Sequence, residues 1–269
     1  MNAHEQRHAV ERAKWDAHAG AVDLGGLKVY PPDADFGWMC RKDPLLQGVD
    51  EFLGDLRGQR VLEYGCGLGS LTLLLARSGA VVTALDISAA SIEVARGRVH
   101  DAGMDDRVSF VVAGGEDLPF EDDSFDAAVG KAVLHHLEPT TGALELARVL
   151  RPGGRGAFSE PLGTNPLLNF ARNRLPYPGK HERGADIPLR SSDIATWFEP
   201  FAQSRINGVQ LLSMVQRGFG LRRRFGALRR IDVALLHRLP ALWPLCRYAV
   251  LTMVKGDDSS IVAMRNSTR

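Results

Sequence analysis

The sequence predicts an open α/β fold built on a parallel sheet, and two observations carry that expectation. Short apolar or β-branched runs at Val61–Tyr64, Ala80–Leu85, Val108–Val112, Phe125–Val129 and Gly156–Ser159 alternate with helical stretches, the signature of βαβ units. A glycine-rich string, Gly65-Cys66-Gly67-Leu68-Gly69, follows the first run and opens a helix, where open α/β sheets hold their ligands. The 269 residues, 45% hydrophobic and 24% charged, have an ordinary globular composition, enough for one large domain or two small ones.

The elements follow in order. Residues 3–18 carry Val10, Ala13 and Ala17 at helical spacing, whereas 20–42, rich in Gly, Pro and Asp, read as irregular. A short helix over about 43–56 leads into the first strand. A buried helix runs from Leu71 to Ala76 and stops at Gly79; Ser88 is placed to cap a helix through Val99. A helix over 141–150 precedes a turn at Pro152-Gly153-Gly154. Residues 161–190, punctuated by five prolines and three glycines, read as a long insertion, and insertions of that length are usually functional or disordered. Ser192 or Asp193 is placed to cap a helix to about Phe198, and 203–215 and 248–255 are candidate strands. Four regions result: an N-terminal helical cap (1–55), a core (56–160), an insertion over the acceptor side (161–200) and a C-terminal completion of the sheet (201–269).

Composition excludes several classes. No apolar run approaches ~18 residues, so no membrane span is expected, and the polar N-terminus lacks a signal-peptide core. Cys40, Cys66 and Cys246 are too few and too dispersed for a disulfide or zinc framework, so a cytoplasmic location and no metal are expected. A net charge of +1 makes the molecule no general nucleic-acid binder. The charge is nevertheless uneven: residues 105–126 hold eight acids against Arg107, and residues 201–255 hold ten bases against Asp232.

The glycines permit a tight turn and close backbone approach to a ligand. Their spacing is G-x-G-x-G, with Ser70 where the dinucleotide fingerprint has its third glycine. Glu63 sits two residues before the first glycine, and Asp86 ends the second strand, placed to accept from ribose hydroxyls. Gly114-Gly115-Glu116-Asp117 follows the third strand and Leu134-His135-His136-Leu137-Glu138 the fourth.

The ordered series VLEYGCGLG, LDIS, GEDLPFEDDSFDAAV, VLHHLE and LRPGG resembles the class I S-adenosylmethionine-dependent methyltransferases. It is most similar to the small-molecule branch that includes the ubiquinone and menaquinone biosynthetic enzymes. The resemblance covers about residues 55–160. It implies a Rossmann-like, seven-stranded, mostly parallel sheet with helices on both faces and the last strand antiparallel. It also implies S-adenosylmethionine as cofactor. By the same resemblance Glu63 anchors the methionine amino group, and Gly65, Cys66, Gly67 and Gly69 form the loop under methionine and ribose. Asp86 takes the ribose, Ile87 contacts adenine, and Gly115, Glu116 and Asp117 edge adenine. Lys131 and Ala132 lie beside the methionine portion. The family often has an aspartate where this chain has Gly114; Glu116, Asp117 or backbone carbonyls are the substitutes.

Candidate general bases are His135, His136 and Glu160, each of which also has a purely structural reading. His181 and Glu182 of the insertion are weaker candidates, and solvation is their ordinary fate. Trp15, Tyr30, Trp38 and Met39 are placed either to line the acceptor pocket or to pack on the core. Arginines at 217, 222–224, 229 and 230, interleaved with apolar residues, make 217–245 a candidate basic amphipathic surface for an anionic membrane, against a plain solvated helix face. The expected function is methyl transfer to a small organic acceptor in specialised-metabolite or lipid- and quinone-type biosynthesis, with no nucleic-acid partner. The alternatives are a non-catalytic S-adenosylmethionine-binding regulator and a nicotinamide-dependent oxidoreductase. The acceptor, the atom methylated and the oligomeric state are not legible.

Overall fold

In chain order the strands are β1 (Arg60–Tyr64), β2 (Val81–Asp86), β3 (Val108–Val112), β4 (Phe125–Lys131), β5 (Leu150–Pro161), β6 (Gln203–Val209) and β7 (Tyr248–Val254). They form one sheet in the order β3-β2-β1-β4-β5-β7-β6. This computed structural model describes residues 3–174, 187–214 and 226–256. Strands β1 to β5 pair in parallel, and β7 runs antiparallel to both β5 and β6. The sheet is the seven-stranded one that the resemblance implies, with its last strand reversed.

The central strands are largely buried because helices cover both faces of the sheet. Adjacent residues on β1 enter different cores. Val61 joins Leu74, Leu75, Val82 and Ile92, while Leu62 and Tyr64 join Leu146, Phe158 and Trp197. The first face is covered by α4 (Ser70–Arg77) and α5 (Ala89–Asp101), the second by α6 (Pro139–Val149) and α8 (Ser191–Phe198). A Cβ on Gly142 would stand 2.7 Å from the Trp197 ring, so glycine there lets α6 and α8 close on each other.

Several local expectations need correction. Residues 20–42 are not all irregular: α2 (Phe36–Lys42) forms because the Asp35 side chain accepts from Trp38 N at its start. The helix expected over 43–56 is a 3-10 turn, Pro44–Leu46, followed by α3 (Val49–Leu53). Pro152–Gly154 does not interrupt the chain before a strand but lies inside β5. Gly153 N donates to Lys255 O and Lys255 N to Gly154 O, and the buried Lys255 ammonium holds Leu150 O. Pairing with 255 thus draws the turn into the sheet. Ser192 and Asp193 do not cap α8; Arg190 is the cap residue, and Asp193 accepts from its N–H. Ser88 does cap α5.

The N-terminal helix α1 (Ala3–Gly20) crosses to α5, where Asp16 Oδ1 accepts from Ser88 Oγ at 2.6 Å. The insertion contains α7 (Pro166–Arg174) and returns at Leu189, which bridges Leu162. His181, Glu182 and the arginines at 217 and 222–224 lie outside the described residues. Among the described residues no helix is long and apolar enough to cross a membrane, and no cluster of three or more His, Cys, Asp or Glu is placed to hold a metal.

Candidate functional site

A cavity of about 330 Å³ opens at the carboxyl edge of the sheet, across the ends of β4, β1, β2 and β3. Its lining includes Glu63, Gly65, Cys66, Gly67, Asp86, Ile87, Gly115, Lys131 and Ala132. Nine expected cofactor residues therefore share one cavity. Gly69 is not on its lining but makes the turn behind it. With φ of +75°, Gly69 sits so close to α5 that a Cβ would meet Ala95 Cβ at 2.7 Å. Gly67, at φ +49°, has no atom within 4 Å of a built Cβ; there the chain is open to a ligand.

Two acids organise the loop. Asp86 Oδ2 accepts from Gly67 N at 2.8 Å and Oδ1 from Ser88 N at 2.9 Å. The carboxylate thereby ties the end of β2 to the glycine loop, and burial is the main cause of its raised pKa. Glu63 is 1% exposed and its Oε2 has no hydrogen-bond partner. Burial, only partly offset by hydrogen bonding with Thr72 and reinforced by the Asp86 charge, pushes the Glu63 carboxyl up to about 8. A buried carboxyl with one oxygen unpartnered beside an open glycine loop is costly unless a ligand donor or cation reaches it.

Glu116 and Asp117 do not line the cavity. Glu116 faces α1: Oε1 accepts from Arg7 and from Glu138 N, and Oε2 from His8 Nε2 at 2.7 Å. Asp117 is exposed. Lys131 pairs with Asp43 at the end of β4, and Ala132 adopts φ 57°, a left-handed turn uncommon for a side-chain-bearing residue.

The three candidate bases separate. His136 lines the cavity; its Nδ1 is 3.5 Å from Glu11 Oε2, and its ring meets Trp15 edge-on at 5.7 Å. Trp15 Nε1 donates to the same Glu11 oxygen at 3.0 Å. Burial works against the Glu11 charge, but His136, Lys14 and Trp15 outweigh it and lower the Glu11 pKa. His135 and Glu160 are not on the lining. The His135 side chain is 2% exposed, with Nδ1 2.7 Å from Glu160 Oε2. Glu160 Oε1 accepts from Val133 N and Leu134 N. Glu160 is therefore a buried fastener of the turn after β4, not a strand-end acid open to solvent.

Of the aromatic and apolar residues weighed for the acceptor pocket, Trp15 lines the cavity. Tyr30 and Met39 are buried in the core and Trp38 packs against it. Sequence reasoning missed His8 and Glu11, which line the cavity with Trp15. Their spacing, 8, 11 and 15, is the i, i+3, i+7 stripe of one helix face, and that stripe was the available signal.

Residues 62–158 match the family model for a methyltransferase domain. The chain is 50% identical over 104 residues to a demethylmenaquinone methyltransferase of Clavibacter sepedonicus, covering 38% of this chain and 41% of that protein. It is 44% identical over 105 residues to the methyltransferase GfsG of Streptomyces halstedii, covering 38% of each. It is 35% identical over 162 residues to a ubiquinone biosynthesis O-methyltransferase of Alkalilimnicola ehrlichii, covering 59% and 62%. The match thus spans about two fifths of the first two relatives. Among solved structures, phosphoethanolamine N-methyltransferase 1 of Haemonchus contortus, in complex with phosphoethanolamine and S-adenosylhomocysteine, superposes at a TM-score of 0.60 with 16% identity, over 99% of this chain and 53% of that one. The [4+2]-cyclase SpnF superposes at 0.54 with 21% identity, over 84% and 85%. These likenesses are of fold.

Proposed function

We propose that this chain, which matches a methyltransferase-domain model over residues 62–158, moves a methyl group from S-adenosylmethionine to a small organic acceptor of the quinone or polyketide type. The observation that carries the reading is Glu63: a buried, unpaired carboxyl oxygen next to the glycine loop, in a cavity that also holds Asp86. The residues fit the cofactor. An ammonium group satisfies Glu63, the ribose diol suits Asp86, the open face of Gly67 admits close approach, and Ile87 offers an apolar wall to adenine.

Bound S-adenosylmethionine supplies a methyl group already activated on a sulfonium, so placement comes before acid–base work. Glu63, Asp86 and the loop hold the donor. His136 serves an acceptor that must lose a proton: with Nδ1 turned to Glu11, Nε2 receives the hydroxyl proton. The adjacent Glu11 carboxylate stabilises the imidazolium so formed. His135 and Glu160 set the turn that carries His136. The insertion that leaves β5 at the same edge, with α7 at its start, is assigned to acceptor selection.

The family of the acceptor is supported by the names of the relatives, the quinone and O-methyltransferases above. The cyclase with the same fold is a reason to test chemistry directly, since one fold hosts several activities. Calorimetric titration should show S-adenosylmethionine binding and no NADH binding. Methyl transfer from labelled cofactor should then occur to at least one member of a panel of phenols, hydroquinones and macrolide alcohols. NADH binding sinks the reading. Cofactor binding with no transfer to any acceptor favours a non-catalytic binding protein.

A further inference from the structure

The lining of the cavity is unbalanced in charge. Glu11, Glu63 and Asp86 stand on it, and among the described residues Lys131 is its one lysine or arginine. Three carboxyls suit a ligand with cationic groups, but a ligand that also carries a carboxylate needs a cation. The methionine end of S-adenosylmethionine is of this kind, with an ammonium and a carboxylate on one carbon. Glu63, with its buried and unpartnered Oε2, meets the first of these groups.

The strand register places Lys131 to meet the second. On the parallel pair β1–β4, Glu63 stands opposite Val129 and Tyr64 opposite Gly130. Lys131 is two residues beyond Val129, so the two-residue period of a strand puts it on the same face of the sheet as Glu63. The core agrees: Val61 and Val129, which share that parity, both lie under α4 and α5. At ~3.3 Å per residue and ~4.8 Å between strands, the Cα atoms of Glu63 and Lys131 are about 8 Å apart. Both side chains reach the cavity from that spacing, one negative when ionised and one positive.

Asp43 holds the ammonium at the end of β4. Its Oδ2 accepts from Lys131 Nζ, and its Oδ1 accepts from Leu45 N at 3.0 Å, which fixes the carboxylate to the backbone. An ammonium carries three hydrogens, and one carboxylate oxygen takes one of them. The two side chains are 38% and 20% exposed, and an ion pair so open to water contributes little. A ligand carboxylate can therefore share the ammonium with Asp43 at small cost.

We propose that Lys131, anchored by Asp43, binds the carboxylate of the cofactor's methionine and, with Glu63, clamps the amino-acid end. The inference rests on the cofactor assignment above. It makes Lys131 a specificity residue, favouring the intact amino acid over a nucleoside whose carboxylate has been lost. The three lining carboxyls alone would admit that more cationic compound.

The test is calorimetric binding to the full chain at pH 7 and fixed ionic strength. S-adenosylhomocysteine is compared with S-adenosyl-3-thiopropylamine, in which hydrogen replaces the carboxylate and the ammonium stays. The wild type should prefer S-adenosylhomocysteine by about tenfold or more, equivalent to ~1.4 kcal/mol. Lys131→Met, which keeps the length and removes the charge, should abolish that preference by weakening S-adenosylhomocysteine alone. Lys131→Arg should restore most of it. Asp43→Asn, which leaves the ammonium and an oxygen to hold it, should keep the preference. A preference that survives Lys131→Met overturns the proposal. So does parallel weakening of both ligands in Lys131→Met, or equal loss of preference in Asp43→Asn, because the ion pair then serves only the fold. A wild type that binds both ligands alike, or the amine more tightly, also overturns it while leaving the cofactor assignment standing. A wild type that binds neither removes that assignment and the proposal with it.

Discussion

Asp86 and His136 mark the two ends of the site, and each can be removed alone. Asp86 holds two backbone N–H groups of its own chain and, with the cofactor bound, the ribose. Asp86→Ala should weaken S-adenosylmethionine binding by ~1.5–3 kcal/mol, the range for hydrogen bonds to a charged group; unchanged affinity by calorimetry would remove Asp86 from the site. With a hydroxyl acceptor, His136→Ala should lower turnover by about 10²–10⁴ while S-adenosylmethionine affinity stays within a few fold. Glu160→Gln should act differently. It loosens the Val133–His135 turn, so loss of thermal stability should accompany any loss of rate, and a catalytic loss at unchanged stability would make Glu160 a participant. At this scale the sequence showed which residues gather at the sheet edge, because strand ends and glycines are locally encoded. It did not separate His135 from His136, since neighbours in a turn point apart according to contacts with Glu160 and Glu11, which lie 25 and 125 positions away from them.

Elements were legible where one local rule sufficed and obscure where distant chain decided. β3 follows directly from its β-branched run, and the Ser88 cap from its hydroxyl. The course of β5 through a Pro-Gly-Gly turn depends on residue 255, and the docking of α1 depends on Glu116, His136 and Ser88. The insertion shows the same division. Its ends are structural, because Leu162 and Leu189 are buried and bridged to each other. Replacement of 166–186 by a Gly-Ser linker, leaving those ends in place, should abolish turnover while S-adenosylmethionine affinity stays within a few fold. Collapse of cofactor binding in that variant would make the segment structural and end its assignment to the acceptor.

The molecule as a whole carries the cost of keeping its site ready. Glu63 sits at the centre of the sheet with its pKa raised to about 8, against an ordinary value of 4.5 for the unfolded chain. Below pH 4.5 the carboxyl is protonated in both states and burial costs no ionisation. Between 4.5 and about 8 the unfolded chain releases the proton and the folded one keeps it, so unfolding gains and stability falls with rising pH. Asp86, raised chiefly by burial, acts in the same direction just above its ordinary value. Ligand-free protein should therefore lose on the order of a few kcal/mol between pH 5 and 8, measured by urea unfolding at fixed ionic strength. Glu63→Gln, which cannot ionise, should remove most of that slope. Saturating S-adenosylhomocysteine should flatten it as well, because an ammonium at Glu63 favours the carboxylate in the folded state. Affinity for the ligand should accordingly rise with pH across the same window. Wild-type stability that does not change from pH 5 to 8 would show that Glu63 is ionised without any ligand, and the orphaned carboxyl would no longer argue for a cationic cofactor.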